Sequence, residues 1–451
     1  QILNFIKYLS SSYNALMAKA HSQFVCQQCG YAQVSWAGKC PNCDAWNSMV
    51  ETNFSTNSKS EIRNSKNNKP ILLTSVPTKN TERISTKISE LDRVLGGGMV
   101  AGQVILLAGD PGIGKSTILT QLADNLGNTL YIAGEESASQ IKIRCDRLGV
   151  TARIYILEEN DVDAAISAAR ELTQKGKINL LIVDSIQTVQ TTELTGMAGS
   201  VGQVRECAYR LMLFAKEVGI PTMLVGHVTK EGSVAGPAVL AHLVDTVLWF
   251  EGDKTSTVRM LRANKNRFGQ TDEVGIFTME EKGLVSVDSP LDLFSTGDFA
   301  LVPGSAKSLV MEGTRPILVE IQSLVVPTKL PYPRRVIQGI DSKKVELLLA
   351  VLTRRCNLRI AEYDVFVNVI GGFSIKEPGA DFAISLSLAS AYFDMPLPEG
   401  HMAIGEVGLL GEIRPVFSQK KRVSESKRLG FKNVSTSDSV TFLKDSLKIF
   451  K

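Results

Sequence analysis

Val104-Ile105-Leu106-Leu107-Ala108-Gly109-Asp110-Pro111-Gly112-Ile113-Gly114-Lys115-Ser116-Thr117 decides how this chain is read. Val104–Ala108 is apolar throughout and reads as a buried strand, and Gly109 to Thr117 fit the pattern G-x-x-x-x-G-K-[ST]. A strand running through a glycine-rich loop into a helix makes a phosphate cradle, because backbone N–H groups and the positive end of the helix face the anion. Gly109, Asp110, Pro111, Gly112, Ile113, Gly114, Lys115, Ser116 and Thr117 are the expected nucleotide contacts. Lys115 is placed to reach the β- and γ-phosphates, and the Ser116 hydroxyl to ligate Mg²⁺. The expected ligand is ATP with its magnesium ion.

Working outward, strand-like runs alternate with helical ones. Thr129–Ala133, Leu180–Val183, Thr222–Gly226, Thr246–Glu251, Val258–Ala263 and Val274–Met279 read as strands. Lys115–Leu126, Ser139–Leu148, Val162–Lys175 and Gly202–Val218 read as helices. Such alternation predicts an α/β fold with a parallel sheet covered on both faces, continued at one edge by strands without intervening helices.

Three of these strands end in side chains suited to phosphate chemistry. Leu180–Val183 leads into Asp184, the expected magnesium-side carboxylate acting directly or through a water; the competing role is a helix cap before Ser185. Thr129–Ala133 leads through Gly134 to Glu135, expected to orient the attacking water, with Glu136 as the alternative and helix capping as the bland role for both. Thr222–Gly226 leads to His227, which is either a γ-phosphate contact or a structural histidine.

At 451 residues the chain exceeds one ordinary core, and its 44% hydrophobic and 21% charged residues are those of a folded globular protein. A net charge of +4 neither requires nor opposes nucleic acid. No run of about 20 apolar residues is present, so a membrane span is not expected. Residues 1–16 precede Met17 and read as an upstream extension or a weak targeting piece, which leaves organellar targeting open.

Four of the seven cysteines form two knuckles, Cys26-Gln27-Gln28-Cys29 and Cys40-Pro41-Asn42-Cys43. Two such knuckles close a tetrahedral four-thiolate shell, which predicts a structural Zn²⁺ with no open position for catalysis. A redox C-x-x-C would need a thioredoxin-like βαβ context that is missing. Cys145, Cys207 and Cys356 stand alone. Residues 51–80 are largely rich in Ser, Asn and Lys and read as a linker.

The segment Lys265-Asn266-Arg267-Phe268-Gly269 completes a pattern. With the four-cysteine module and the phosphate loop it resembles the RadA/Sms family over essentially Met17 to Lys451, its middle part being similar to RecA-like ATPases. The resemblance implies a hexameric ring motor on single-stranded and branched DNA, acting in recombination and repair beside a RecA-type recombinase in the bacterial cytoplasm or nucleoid. It implies that Lys265 and Arg267 stabilise the phosphoryl group of a neighbouring subunit, and strand alternation is expected to put both on one face. It implies that the loops 190–202 and 229–236 face the channel, with Lys230 and Arg205 as DNA contacts.

The last region resembles the Lon proteolytic domain, with expected strands Val319–Val325 and Tyr363–Val369 and helices Asp381–Phe393 and Gln419–Leu429. The segment Glu377-Pro378-Gly379-Ala380-Asp381-Phe382 has no serine at the nucleophile position, and Arg414 stands where the resemblance places the lysine, so proteolysis is not expected. Lysines and arginines on the 419–429 helix and along 329–355 offer DNA contacts or solvated faces. The expected domains are a zinc module over 17–50, the linker 51–80, a RecA-like ATPase over 81–287 and a Lon-like domain over 288–451. A Lon-type protease and a KaiC-like signalling ATPase are the competing functions.

Overall fold

The computed structural model describes residues 22–26, 31–42, 44, 46, 48–53, 72, 74, 82–227, 237–252, 257–288, 301–328, 332–372 and 374–450. The extension 1–16, most of the linker, Cys29, Cys43 and Lys230 lie outside them. No helix among the described residues is long and apolar enough to cross a membrane.

Near the start, three short strands pair antiparallel in the order β2-β1-β3: β1 (Ser22–Cys26), β2 (Ala32–Gln33) and β3 (Met49–Asn53). Among the described residues their core is Cys26, Cys40 and Met49, with Phe24 packed against it.

The chain divides into two compact units. The first holds the expected parallel sheet. Its strands are β4 (Val104–Gly109), β5 (Thr129–Ala133), β6 (Ile154–Leu157), β7 (Leu180–Asp184), β8 (Thr222–His227) and β9 (Thr246–Glu251), in the order β9-β4-β8-β7-β5-β6, every adjacent pair parallel. β4, β5 and β7 are buried along their whole length, which explains why they are continuous apolar runs without alternation. The helices Lys115–Leu126, Ala138–Leu148, Val162–Gln174 and Val201–Val218 connect them. The order places β4 between β8 and β9, so the ends of β4, β5, β7 and β8 are gathered where the crossovers change direction, the position at which open α/β sheets bind ligands. In the strand order β10 (Val258–Asn266), β11 (Val274–Glu280) and β12 (Gly283–Ser286) follow beyond β9 in succession.

The second unit comprises Gly252–Met260, Asp272–Met279 and Val285–Lys451. It carries a sheet in the order β13-β14-β16-β15, from β13 (Ser305–Glu312), β14 (Arg315–Pro327), β15 (Arg335–Gln338) and β16 (Tyr363–Val369). β14 is antiparallel to both of its neighbours, β13 and β16, while β15 runs parallel to β16. The helices Ser342–Cys356 and Asp381–Phe393 bury their apolar residues in the same core as this sheet.

Candidate functional site

The phosphate loop begins where β4 ends. Gly109 has φ +156, and a Cβ there would lie 2.5 Å from the Phe250 carbonyl oxygen, so only glycine lets the loop leave the sheet so close to β9. Gly112 (φ +80) has open space where a Cβ would be, and Gly114 (φ +116) starts the helix Lys115–Leu126. No side chain caps that helix, whereas Ser137 and Asp161 cap the helices after β5 and β6. The first-turn amides of Lys115–Leu126 thus keep their positive end for an anion, which is what a triphosphate needs.

Lys115 is buried, and its Nζ donates to the carbonyls of Gly109 (2.7 Å) and Asp110 (3.0 Å). Burial lowers its pKa, while the carboxylates of Asp184, Glu135 and Asp110 act in the opposite direction. Ser116 Oγ donates to Asp184 Oδ2 at 3.0 Å, which orients the serine's lone pairs away from that carboxylate. Thr117 lies buried one position further into the helix, and Ile113 is buried in the loop.

Asp184 is almost wholly buried, and burial raises its pKa against the hydrogen bonds from Tyr131 and Ser116. No helix starts at Ser185 among the described residues, so the cap role weighed for Asp184 has nothing to cap. The register of β5 on β7 pairs Ala133 with Asp184, and Gly134 N donates to the Asp184 carbonyl at 2.9 Å. That pairing delivers Glu135 beside the carboxylate. Ser185 Oγ donates to Glu135 Oε1 at 2.5 Å, and His227 Nε2 lies 3.2 Å from the same oxygen. The His227 contact, followed by the Ser185 bond and the charge on Lys115, holds Glu135 below the usual carboxylate pKa against partial burial.

Glu136 has different company. Arg144 grips it through both carboxylate oxygens, at 2.9 and 2.5 Å, and the same guanidinium donates from Nε to Thr120 Oγ1 at 3.2 Å. Thr120 in turn donates to the Ser116 carbonyl at 2.7 Å. Arg144 therefore ties both Glu136 and its own helix, Ala138–Leu148, to the phosphate-loop helix.

Lys265 and Arg267 gather elsewhere. Lys265 Nζ donates to the carbonyls of Ala241 (2.6 Å) and Val244 (2.8 Å), and Arg267 Nη1 lies 3.3 Å from Asp245 Oδ1. β10 ends at Asn266, so Arg267 stands in the turn beyond it and strand alternation does not govern its direction, contrary to the sequence expectation. Within this segment Asn266 and Gly269 hold the backbone in place. Asn266 Nδ2 donates to the Val94 and Leu95 carbonyls, and Oδ1 accepts from Phe268 N at 3.0 Å. A Cβ on Gly269 would lie 2.8 Å from Asn266 Nδ2. Arg83, which carried no sequence signal, bonds the carbonyls of Leu95, Gly98 and Phe268 and so fixes the turn. Neither Lys265 nor Arg267 bonds Lys115, Glu135, Asp184 or His227 within this chain.

Arg205 is exposed on the second turn of Val201–Val218. The loop before that helix is ordered by Gln203, whose amide bonds Thr191 N, Thr191 O and Leu194 O. Of the proposed zinc ligands, Cys26 and Cys40 are fully buried in the small three-stranded module. Cys26 N donates to Tyr31 O and Asp44 N to Cys40 O, tight returns that fit two metal-gripping knuckles.

In the second unit, a cavity of about 700 Å³ is lined by Lys344, Ser374, Lys376, Glu377 and Asp381, among others. The Lys344 ammonium is 2.7 Å from Asp381 Oδ2, and burial raises Asp381 to about 6 despite that partner. Among the described residues of this unit no serine hydroxyl bonds a lysine; Ser385 donates to the Asp381 carbonyl. Arg414 is exposed and paired with Glu412. Arg422, which the sequence groups with a displayed basic face, is instead fully buried and holds Glu377 in a two-point ion pair plus the Leu309 carbonyl.

Sequence reasoning missed Tyr131, whose hydroxyl donates to Asp184 Oδ2. Its position in an apolar strand carries no hint of a polar role. Arg144 was equally silent, being one of two arginines on a polar helix.

Residues 73–233 match a family model described as an AAA domain, and residues 24–51 one described as a rubredoxin metal binding domain. Three curated relatives bear the name DNA repair protein RadA. That of Bacillus subtilis is 47% identical over 428 residues, covering 93% of each chain. That of Halalkalibacterium halodurans is 46% identical over 431 residues, 94% of this chain and 93% of the relative. That of Listeria monocytogenes is 45% identical over 424 residues, 92% of each.

Proposed function

This chain belongs to the RadA family of DNA repair proteins, and from that premise we propose an ATP-hydrolysing DNA motor: a DNA-dependent helicase that drives branch migration of recombination intermediates beside a RecA-type recombinase. The observation that carries the reading is the convergence of Lys115, Ser116, Asp184 and Glu135 at the open end of a parallel sheet. Residues Gly109 to Thr117 hold the phosphates, and Lys115 exchanges its loop carbonyls for β/γ oxygens. Ser116 and Asp184 hold the magnesium ion, whose charge offsets that of the phosphate oxygens. Glu135 takes the proton-accepting, water-orienting role, because Glu136 is committed to Arg144. His227, touching Glu135, reports on the γ-phosphate.

The catalytic unit in this proposal is a hexameric ring. Arg267 and Lys265 serve a neighbour's nucleotide, Arg267 being half-exposed and so the readier of the two. Arg205 and Lys230 track the backbone of single-stranded DNA. Cys26, Cys29, Cys40 and Cys43 hold a structural Zn²⁺ in a module over 17–50, which couples the motor to the recombinase or to branched DNA. Because β3 runs to Asn53, the proposed linker of 51–80 begins only after it; that linker, an ATPase domain over 81–287 and a non-proteolytic Lon-like domain over 288–451 complete the chain, which works in the bacterial cytoplasm or nucleoid.

The test is ATP hydrolysis with and without single-stranded DNA, paired with unwinding of a three-stranded junction. Stimulated hydrolysis with strand displacement is expected. Hydrolysis without displacement would favour a KaiC-like signalling ATPase, and ATP-dependent degradation of casein a Lon-type protease.

A further inference from the structure

Tyr131 is buried in the middle of β5, yet its hydroxyl is not spent on the backbone. It donates to Asp184 Oδ2, the same oxygen that accepts the Ser116 hydroxyl. Two donors from two different elements, a neighbouring strand and the phosphate-loop helix, thus converge on one carboxylate oxygen. A carboxylate held at one oxygen by two fixed donors has lost rotation about its side-chain torsions. Among the described residues no hydrogen bond reaches Oδ1 of Asp184, so that oxygen keeps its lone pairs. A buried phenol also finds only one escape from the cost of an unpaired hydroxyl, and here it is the carboxylate.

We propose that Tyr131 is a positioning residue for the nucleotide's divalent cation: its hydrogen bond to Oδ2 sets the Asp184 carboxylate so that Oδ1 serves the metal's coordination shell. The inference rests on the reading of Asp184 as the magnesium-side carboxylate. Partners that orient metal-side ligands typically govern affinity by 10- to 100-fold, so the loss of this bond is expected to weaken the cation on the order of tenfold. Nucleotide affinity in the absence of metal is expected to be untouched, since the Tyr131 hydroxyl bonds Asp184 and no residue from Gly109 to Thr117.

The experiment titrates Mn²⁺ into the full chain carrying a non-hydrolysable ATP analogue and reads free Mn²⁺ by electron paramagnetic resonance. Tyr131→Phe keeps the ring and removes only the donor; Tyr131→Met fills similar space with no donor and serves if the first variant does not fold. Both are compared with Asp184→Asn, and thermal unfolding is followed alongside. The expected result is a weaker Mn²⁺ site in the Tyr131 variants at unchanged metal-free nucleotide affinity. Unchanged Mn²⁺ affinity in the Tyr131 variants, with Asp184→Asn clearly weakened, overturns the inference and reduces Tyr131 to a packing residue. Unchanged affinity in Asp184→Asn overturns the underlying reading of Asp184, and the inference with it.

Discussion

Glu135 and Glu136 are neighbours in the chain and occupy opposite electrostatic surroundings. Glu135 faces Lys115, Ser185 and His227, and these partners keep it ionised through the neutral range. Glu136 is neutralised by the fork of Arg144, which also reaches Thr120. A carboxylate gripped at both oxygens by a guanidinium is not free to orient a water. Glu135→Gln is therefore expected to retain ATP binding and lose turnover by about a hundredfold or more, the usual yield of a positioned general base. Glu136→Gln is expected to keep most of its turnover and to lower the midpoint of thermal unfolding slightly, because a pair whose carboxylate is more than a third exposed contributes only about 1 kcal/mol or less. Single-turnover hydrolysis beside nucleotide binding checks both variants. The reverse ranking would assign the water-orienting role to Glu136.

Among the elements, what the chain announces depends on how strongly one physical signal dominates. β4, β5, β7 and β8 are buried apolar runs flanked by glycine or acid, and their expected spans differ from the observed ones by a residue at most. β6 is a run of only four apolar residues, Ile154 to Leu157, partly buried at the sheet edge, and so short a run does not stand out as a strand. β14 carries prolines at 316 and 327, residues that argue against a strand, and only its middle was legible. The helix Ser342–Cys356 has its signal in Val345, Leu348, Leu349 and Leu352, yet the lysines and arginines at its two ends draw attention first. The segment Lys265 to Gly269 shows the same limit at finer grain. Its motif identifies a family, but only the structure separates Asn266 and Gly269, which hold the turn, from Lys265 and Arg267. Lys265 itself satisfies the carbonyls that follow the short helix Pro237–Leu240, a structural role that competes with service to a neighbour. Lys265→Ala is expected to lower hydrolysis by roughly a thousandfold with ATP binding nearly intact. Mixed in equal amounts with Lys115→Ala, it is expected to regain activity at about one interface in four, since a head-to-tail contact pairs an intact loop with an intact lysine at that frequency. A mixture as inactive as its components would place Lys265 within its own subunit.

At the scale of the whole molecule, the chain builds its cores by very different means. The sheet of the first unit and the sheet and helices of the second each bury long series of apolar side chains. Among its described residues the three-stranded module at the start buries two thiols and one methionine against Phe24, far less than a fold needs to offset its conformational entropy. A structural zinc ion supplies about 10–16 kcal/mol to such modules, so the metal, and not packing, is expected to hold this one together. Trp36 and Trp46 are exposed on the module, while Trp249 belongs to β9 in the ATPase sheet, which gives each part its own fluorescence reporter. Withdrawing zinc with a chelator, or replacing Cys26 by serine, is expected to change the emission of Trp36 and Trp46 and to leave Trp249 in a Trp36→Phe/Trp46→Phe background unaltered. Basal ATP hydrolysis should persist, because the residues from Gly109 to Thr117, Glu135 and Asp184 draw their geometry from the parallel sheet alone. DNA-stimulated unwinding should be lost, since the module is proposed to deliver the substrate. If basal hydrolysis instead collapses in step with zinc release, the module is part of the ATPase's own folding unit, and its small core is completed by surfaces of the catalytic domain in place of the metal.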